Sequence, residues 1–231
     1  MAELQPRKRL TRAESKALTR ARLLDAAAVL FARKGFGGAS VEEIAEAAGY
    51  TIGAVYAQFG SKAQLMVELI SSRVSERVAE VAQIVERRGG EDGRFPMQAL
   101  DELLTSVAEK NWDDAPLQAE FWLYAVRNPE VLHAFGARLQ EPKHALAEVL
   151  DGVVARHAPG AEEHVDALAT VTFALFEGLV RQRRIDPASV PDGMYSQALR
   201  WLFDGLGVAA KAKKESAVEE SAAGETAGER P

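Results

Sequence analysis

The stretch from Ser40 to Gln64 constrains the fold of this chain more than any other part of its sequence. Ser40 and Glu43 have the spacing of a capping box, in which each side chain accepts a hydrogen bond from an unpartnered backbone N–H at a helix start. Ser61 and Gln64 repeat this spacing at the end of the stretch. The sequence therefore predicts two short helices and the beginning of a third.

The residues between the two capping boxes have the spacing of a helix-turn-helix. Ala45 is small enough to lie where two helices cross closely, and Gly49 suits the left-handed turn between them. Val55 and Phe59 lie on one face of the second helix, which Thr51 can cap. We therefore predict that Ala45, Gly49, Val55 and Phe59 hold the motif together, while the opposite side of the second helix faces outward.

This stretch resembles the DNA-binding signature of the TetR family of one-component transcriptional regulators. The residues that carry the resemblance are, in order, Gly49, Thr51, Gly53, Val55, Tyr56, Phe59, Gly60, Ser61, Lys62 and Leu65. The resemblance is tight over roughly residues 22–70 and is a matter of helix pattern beyond them. It implies an all-α fold, with an N-terminal three-helix DNA-binding domain joined to a larger helical domain for ligand binding and dimerisation.

Helix signals in the rest of the chain agree with this fold. Thr11 and Glu14 form a third capping box, and Gly35 supplies a helix end. Beyond Gln64, apolar residues recur at helical spacing until a tail rich in Ala, Glu, Ser, Gly and Lys. We predict a flexible basic arm at 1–10, the DNA-binding domain at 11–60, the helical body at 61–209 and a disordered tail at 210–231.

The charge of the chain is distributed unevenly. Its net charge is −6, yet residues 1–22 hold seven basic and two acidic residues, which makes them +5 and the remainder −11. This asymmetry is expected when one end of a protein meets a polyanion and the other does not. A solvated tail is the alternative reading of the basic run.

Composition also bears on the compartment. The chain has no cysteine, which excludes disulfides and thiolate metal sites and is compatible with a reducing compartment. The basic start is not followed by the apolar segment of a secretory signal, and no apolar run approaches the roughly 18 residues of a membrane span. We therefore expect a soluble, cytoplasmic protein.

The resemblance implies residues that contact DNA. Ser40, Tyr56 and Lys62 are expected to contact phosphates, although each has a structural alternative as a cap, a packing residue or a solvated charge. Ile52 and Ala54 replace residues that are commonly polar in the family, and we expect them to contact thymine methyl groups. The full predicted DNA-binding set is Arg7, Lys8, Arg9, Arg12, Ser40, Thr51, Ile52, Ala54, Tyr56, Gln58 and Lys62.

The resemblance also implies a ligand pocket and a dimer interface in the helical body. For the pocket we expect apolar and aromatic side chains with a few polar groups, namely Trp112, Phe121, Trp122, Tyr124, Phe173 and Glu177, with Glu120 as a further polar candidate. For the interface we expect the last two helices, through Leu168, Thr172, Leu175, Phe176, Leu179, Leu199, Leu202, Phe203 and Leu206. The alternative is that both sets form the core of the monomer.

Taken as a family resemblance, these features imply a ligand-responsive, sequence-specific transcriptional regulator. It would be a homodimeric repressor that an apolar or aromatic inducer releases from a palindromic operator. An activator is the alternative within this class, because it would need the same features. A helical adaptor that binds only protein is the alternative from another class. We expect no enzyme, cofactor or metal site, because no nucleophile with a base, glycine-rich phosphate loop or ligand-spaced histidines stand out.

Overall fold

The computed structural model of the protein describes residues 11–88, 96–110 and 114–228. Within these ranges all regular secondary structure is helical and there is no strand, which confirms the all-α prediction. Two short 3₁₀ helices, Glu162–His164 and Pro187–Ser189, precede α9 and α10. The α-helices are α1 Arg12–Gly38, α2 Val41–Ala48, α3 Ile52–Phe59, α4 Lys62–Arg88, α5 Met97–Lys110, α6 Asp114–Arg127, α7 Pro129–Arg138, α8 Gln140–His157, α9 Val165–Ile185 and α10 Met194–Gly228.

The described residues divide into two compact units. The first unit comprises residues 11–73 and 114–138, and the second comprises 74–88, 96–110 and 139–228. This division differs from the predicted boundary between residues 60 and 61. The reason is that Leu65, Met66 and Val67 are completely buried in the core of the first unit. α6 and α7, predicted to belong to the body, also supply this core.

The core of the first unit is built around α1. Leu23, Ala27 and Phe31 follow one another at intervals of four residues and are at most 1% exposed. The helix is interrupted at Gly35, whose φ of 73° and ψ of 170° are not helical. The predicted helix end at Gly35 is therefore confirmed, and the turn that follows leads into α2.

The second unit has a separate core formed by parts of α4, α5, α8, α9 and α10. The predicted dimer-interface residues Leu168, Thr172, Phe176, Leu199 and Phe203 are all less than 9% exposed within this chain. Within this chain they belong to the core of the second unit or line its cavity, and they do not form an exposed surface. Leu175, Leu179, Leu202 and Leu206 are only half-buried. Both helices are apolar on more than one face. Helical periodicity alone therefore could not show which apolar face is covered within the chain.

The last helix is longer than the sequence predicted. α10 continues to Gly228, well beyond residue 210, where the disordered tail was expected to begin. Low hydrophobicity suggested disorder there, but Ala, Glu and Lys also have high helix propensities. None of the helices in the described ranges is long and apolar enough to cross a membrane.

Candidate nucleic-acid interface and ligand cavity

The start of α2 is organised by the predicted capping box. Ser40 Oγ accepts a hydrogen bond from Glu43 N–H at 3.1 Å, and Ser40 N–H donates to Glu43 Oε2 at 3.1 Å. Lys34 Nζ lies 2.6 Å from Glu43 Oε1, and these contacts, that of Lys34 foremost, lower the pKa of the Glu43 carboxyl. The backbone N–H of Ser40 is therefore already occupied, and only the Ser40 hydroxyl remains available to donate a hydrogen bond to the predicted phosphate.

The turn between α2 and α3 has left-handed geometry at its glycine. Gly49 has φ 75° and ψ 31°, and its N–H donates to Glu46 O at 3.0 Å. Tyr50 N–H donates to Ala45 O at 2.8 Å, so the open carbonyls at the end of α2 are satisfied. Thr51 Oγ1 then accepts from Ala54 N–H at 3.3 Å and caps α3.

One face of α3 is locked against the core of the first unit. Ala45 and Val55 are each 1% exposed, and Phe59 is 7% exposed. The three side chains lie in one core with Ile44 and Phe31. α3 therefore has one fixed orientation relative to α2 and α1, as a helix that reads DNA requires.

The opposite face of α3 is exposed and nearly free of charge. Ile52 and Tyr56 are 40% and 49% exposed, respectively, and Thr51 and Ala57 are also exposed. Ala54 and Gln58 are half-buried at the edges of this face. No residue of α3 is ionisable apart from the phenol of Tyr56, so charge interactions with a nucleic acid depend on neighbouring elements.

Two basic side chains lie near the ends of these helices. Lys62 Nζ lies 4.6 Å from the ring centroid of Phe36, a cation–π distance, and partial burial lowers the pKa of the Lys62 ammonium. Arg12 is exposed at the first turn of α1, after the cap formed by Thr11. The remaining predicted arm residues, Arg7, Lys8 and Arg9, lie outside the described residues.

Sequence reasoning missed a charged cluster behind α3. Glu68 is nearly buried and forms ion pairs with Arg20 of α1 and Arg138 of α7. The Arg20 guanidinium also lies 5.0 Å from the ring centroid of Phe59. Glu68 therefore links three helices to the end of α3. The sequence indicates this cluster only through the position of Glu68 on the inward face of α4, because Arg20 and Arg138 are far from Glu68 in the sequence.

Glu120, predicted as a further polar ligand contact, lies in the first unit and binds a backbone N–H group there. Its Oε2 accepts a hydrogen bond from Phe36 N–H at 2.6 Å, just after the break in α1. A Cβ on Gly35 would lie 2.6 Å from Glu120 Oε1. Glu120 therefore holds the turn between α1 and α2, and glycine is required for its close approach.

The second unit contains an apolar cavity between its helices. Its space amounts to about 550 Å³ when the part open to solvent is included. Phe173 and Glu177, both predicted for the pocket, line it. The other lining residues are Val74, Arg77, Val78, Val81, Leu100, Leu103, Leu146, Leu150, Thr172, Phe176, Tyr195 and Leu199.

Three other predicted pocket residues lie in the first unit and do not line this cavity. Phe121 is 3% exposed and packs edge-to-face on Phe135, while Tyr124 lies against Phe36. Trp122 is 58% exposed. The structure therefore does not bring Phe121, Trp122 and Tyr124 to this cavity, because aromatic content alone does not separate a packed core from a pocket. Trp112 lies outside the described residues.

The described ranges contain no group of three or more His, Asp and Glu residues placed to hold a metal ion.

Comparison with known proteins matches residues 23–69 to the family described as "Bacterial regulatory proteins, tetR family". Over 81 residues, the chain is 36% identical to the HTH-type transcriptional repressor KstR2 of Rhodococcus jostii. This match covers 35% of this chain and 39% of KstR2, so here the chain spans less than half of its relative.

A longer match extends over both units. The chain is 28% identical over 202 residues to the HTH-type transcriptional regulator TtgR of Pseudomonas putida, covering 81% of this chain and 90% of TtgR. The fold is similar to that of the multidrug binding protein EbrR solved with imidazole, with a TM-score of 0.58 and 22% identity, over 86% of this chain and 97% of EbrR.

Proposed function

Because the chain is a DNA-binding transcriptional regulator of the TetR family, we propose that it acts as a homodimeric repressor that a small-molecule inducer releases from a palindromic operator. The observation that carries this proposal is the exposed, uncharged face of α3 on a helix whose opposite face is locked in the core. Such a helix can enter a major groove without rearrangement. A protein that binds operator DNA acts in the cytoplasm, so we propose a cytoplasmic location. We further propose that the protein is not an enzyme.

We assign the DNA contacts by chemistry. The hydroxyls of Ser40 and Tyr56 and the ammonium of Lys62 contact phosphates, which positions the dimer. Ile52 contacts thymine methyl groups, with Ala54, Thr51 and Gln58 completing the base-reading set. Arg12 supplies charge outside α3, and we extend this role to Arg7, Lys8 and Arg9 of the arm. Sequence preference and electrostatic affinity thus come from different residues.

We propose that α9 and α10 form the homodimer interface through their exposed sides, and not through the five predicted residues that are buried within this chain. Val171 and Trp201 are 46% and 66% exposed, respectively, on these helices. Ala174, Gly178 and Gly205 lie on the same exposed sides and would let helices of a second copy approach closely. A dimer would place two copies of α3 in successive major grooves, about 34–36 Å apart or at a longer spacing.

We propose the cavity of the second unit as the inducer site. It is mainly apolar with few polar groups, as small-molecule sites usually are. The EbrR structure, solved with imidazole, supports ligand binding by this fold. Induction follows if the ligand favours a dimer whose recognition helices no longer match the spacing of the operator.

The decisive experiment selects duplexes from a random library with the full chain and then measures fluorescence anisotropy on the selected duplex and a scrambled one. Specific dissociation constants of about 10⁻⁸–10⁻¹¹ M are expected on the selected duplex at physiological salt. Ile52→Lys should raise affinity for both duplexes and reduce discrimination between them. Ala155→Lys, which adds the same charge at an exposed position of α8, is the matched control.

Equal binding of the wild type to both duplexes would refute sequence-specific recognition. An absence of binding to any duplex at low salt would instead favour a helical adaptor. If Ile52→Lys discriminates between the two duplexes as well as the wild type does, only the base-reading role of Ile52 is refuted, and the rest of the proposal stands.

A further inference from the structure

The cavity of the second unit has a polar end with unusual hydrogen bonding. Ten of its fourteen lining side chains are apolar, and the polar ones are Arg77, Thr172, Glu177 and Tyr195. Thr172 is 5% exposed, and its Oγ1 has no hydrogen-bond partner among the described residues. An unsatisfied buried hydroxyl is costly, so this atom is a candidate contact for a bound molecule.

A second polar atom in the same wall is incompletely satisfied. Arg77 Nη2 lies 3.0 Å from Glu177 Oε1, so the two side chains form an ion pair. Oε1 is nevertheless buried and accepts no hydrogen bond in the described part of the chain. A ligand O–H group can donate to this oxygen without breaking the ion pair.

The third polar group is the phenol of Tyr195. Its O–H points toward Thr172 O at 3.5 Å, a long and weak hydrogen bond, and burial raises the pKa of this phenol. Tyr195 therefore stays neutral at physiological pH and can still accept a hydrogen bond.

We propose that the cavity binds a neutral, mainly hydrocarbon or aromatic molecule that carries a hydroxyl group. Arg77 and Glu177 already neutralise each other, so an anionic ligand would be repelled by Glu177 and a cationic one by Arg77. A hydroxyl both donates and accepts, which matches Glu177 Oε1 and Thr172 Oγ1. This inference rests on the proposed function, because it names the class of inducer for the same cavity.

The dimensions of the cavity limit the size of the ligand. The enclosed part of the cavity has room for only a few water molecules. A ligand with one or two rings therefore enters only if half-buried side chains such as Phe173 move aside.

The test uses four probes that share one ring system, titrated against the full-length protein by following naphthalene-ring fluorescence. They are 1-naphthol, naphthalene, 1-naphthoate and 1-naphthylmethylammonium. We expect 1-naphthol to bind about tenfold more tightly than naphthalene, as one good hydrogen bond allows, and both charged probes to bind more weakly than 1-naphthol. Preference for a charged probe, or no binding of any probe, would overturn the inference.

Two variants connect the preference to the named atoms. Thr172→Val should reduce 1-naphthol affinity about fivefold to tenfold while leaving naphthalene affinity unchanged. Thr170→Val, at an exposed position of the same helix, is the matched control and should change neither. Glu177→Gln should increase 1-naphthoate affinity, because Arg77 loses its carboxylate partner. Unchanged probe preferences in both Thr172→Val and Glu177→Gln would refute the assignment.

Anisotropy on the selected duplex separates this inference from the proposed function. Specific DNA binding together with a failed probe preference would overturn the ligand class alone. Probe binding as expected without specific DNA binding would overturn the proposed regulator and leave the ligand class standing.

Discussion

Replacement of Gly35 by alanine should destabilise the first unit strongly. Gly35 has φ 73° and ψ 170°, a region of backbone geometry that is essentially restricted to glycine. Forcing another residue into it costs about 1–3 kcal/mol. The added Cβ would also lie 2.6 Å and 2.7 Å from the two carboxylate oxygens of Glu120, closer than van der Waals contact permits.

The collision adds a second cost. Glu120 must move away and lose its 2.6 Å hydrogen bond from Phe36 N–H. Hydrogen bonds to charged groups contribute about 1.5–3 kcal/mol, and because this one is exposed we use the lower value. The free energy of unfolding of Gly35→Ala should therefore fall by about 2.5–4.5 kcal/mol.

Urea unfolding followed by far-UV circular dichroism measures this loss. Gly37→Ala is the matched control, because a Cβ there meets nothing within 4 Å and its φ is not positive. It should change the unfolding free energy by less than about 0.5 kcal/mol. In a Glu120→Ala background, Gly35→Ala should cost only the backbone part, about 1–3 kcal/mol. Equal effects of Gly35→Ala and Gly37→Ala, or strict additivity with Glu120→Ala, would refute the reasoning.

Three further predictions concern the dimer, the first unit and the cavity. Trp201→Glu should convert a dimer into a monomer in size-exclusion chromatography with light scattering, since it places charge on the proposed interface. Glu68→Gln should lower the unfolding free energy by about 1–3 kcal/mol in urea denaturation, because Arg20 and Arg138 lose their shared carboxylate. Folding stability should fall above about pH 10, because Tyr195 keeps its proton only in the folded chain, and Tyr195→Phe should reduce that slope by up to about 1.4 kcal/mol per pH unit.

Each of these predictions has a defined counter-result. A dimeric Trp201→Glu protein would exclude Trp201 from the interface, with Ala155→Glu, at an exposed position of α8, as the control for one added negative charge. Wild-type stability in Glu68→Gln would mean that the cluster contributes no net stability. An unchanged alkaline slope in Tyr195→Phe would mean that other groups set the pH dependence.

The local geometry of the DNA-binding unit could be predicted from sequence because its signals act over three or four residues. The Ser40 cap, the left-handed Gly49 and the buried Val55 each depend on near neighbours, and the structure places all three as expected. The same reasoning could not find the contact between Glu120 and Phe36, which joins residues 84 positions apart.

Assignments in the body depended on which face of a helix meets which partner. On α9, Phe176 is buried within the chain while Val171 is 46% exposed, although both are apolar and both fit a helical stripe. Helical periodicity identifies the apolar stripes of a helix, but it does not show whether the same chain or a second copy covers each stripe. Likewise, Phe121 and Phe173 are equally plausible pocket residues by type, and only three-dimensional packing separates them.

The first unit is built from two separate segments of the chain, and this affects how chimeras of such regulators can be constructed. Leu117, Phe121, Ala125 and Val131 complete a core otherwise built from residues 23–69. A chimera joined at one point after α3 or within α4 would exchange the recognition helix but leave part of this core to a foreign sequence. Transplanting the DNA specificity of this protein therefore requires two junctions, or a graft confined to the exposed positions of α3.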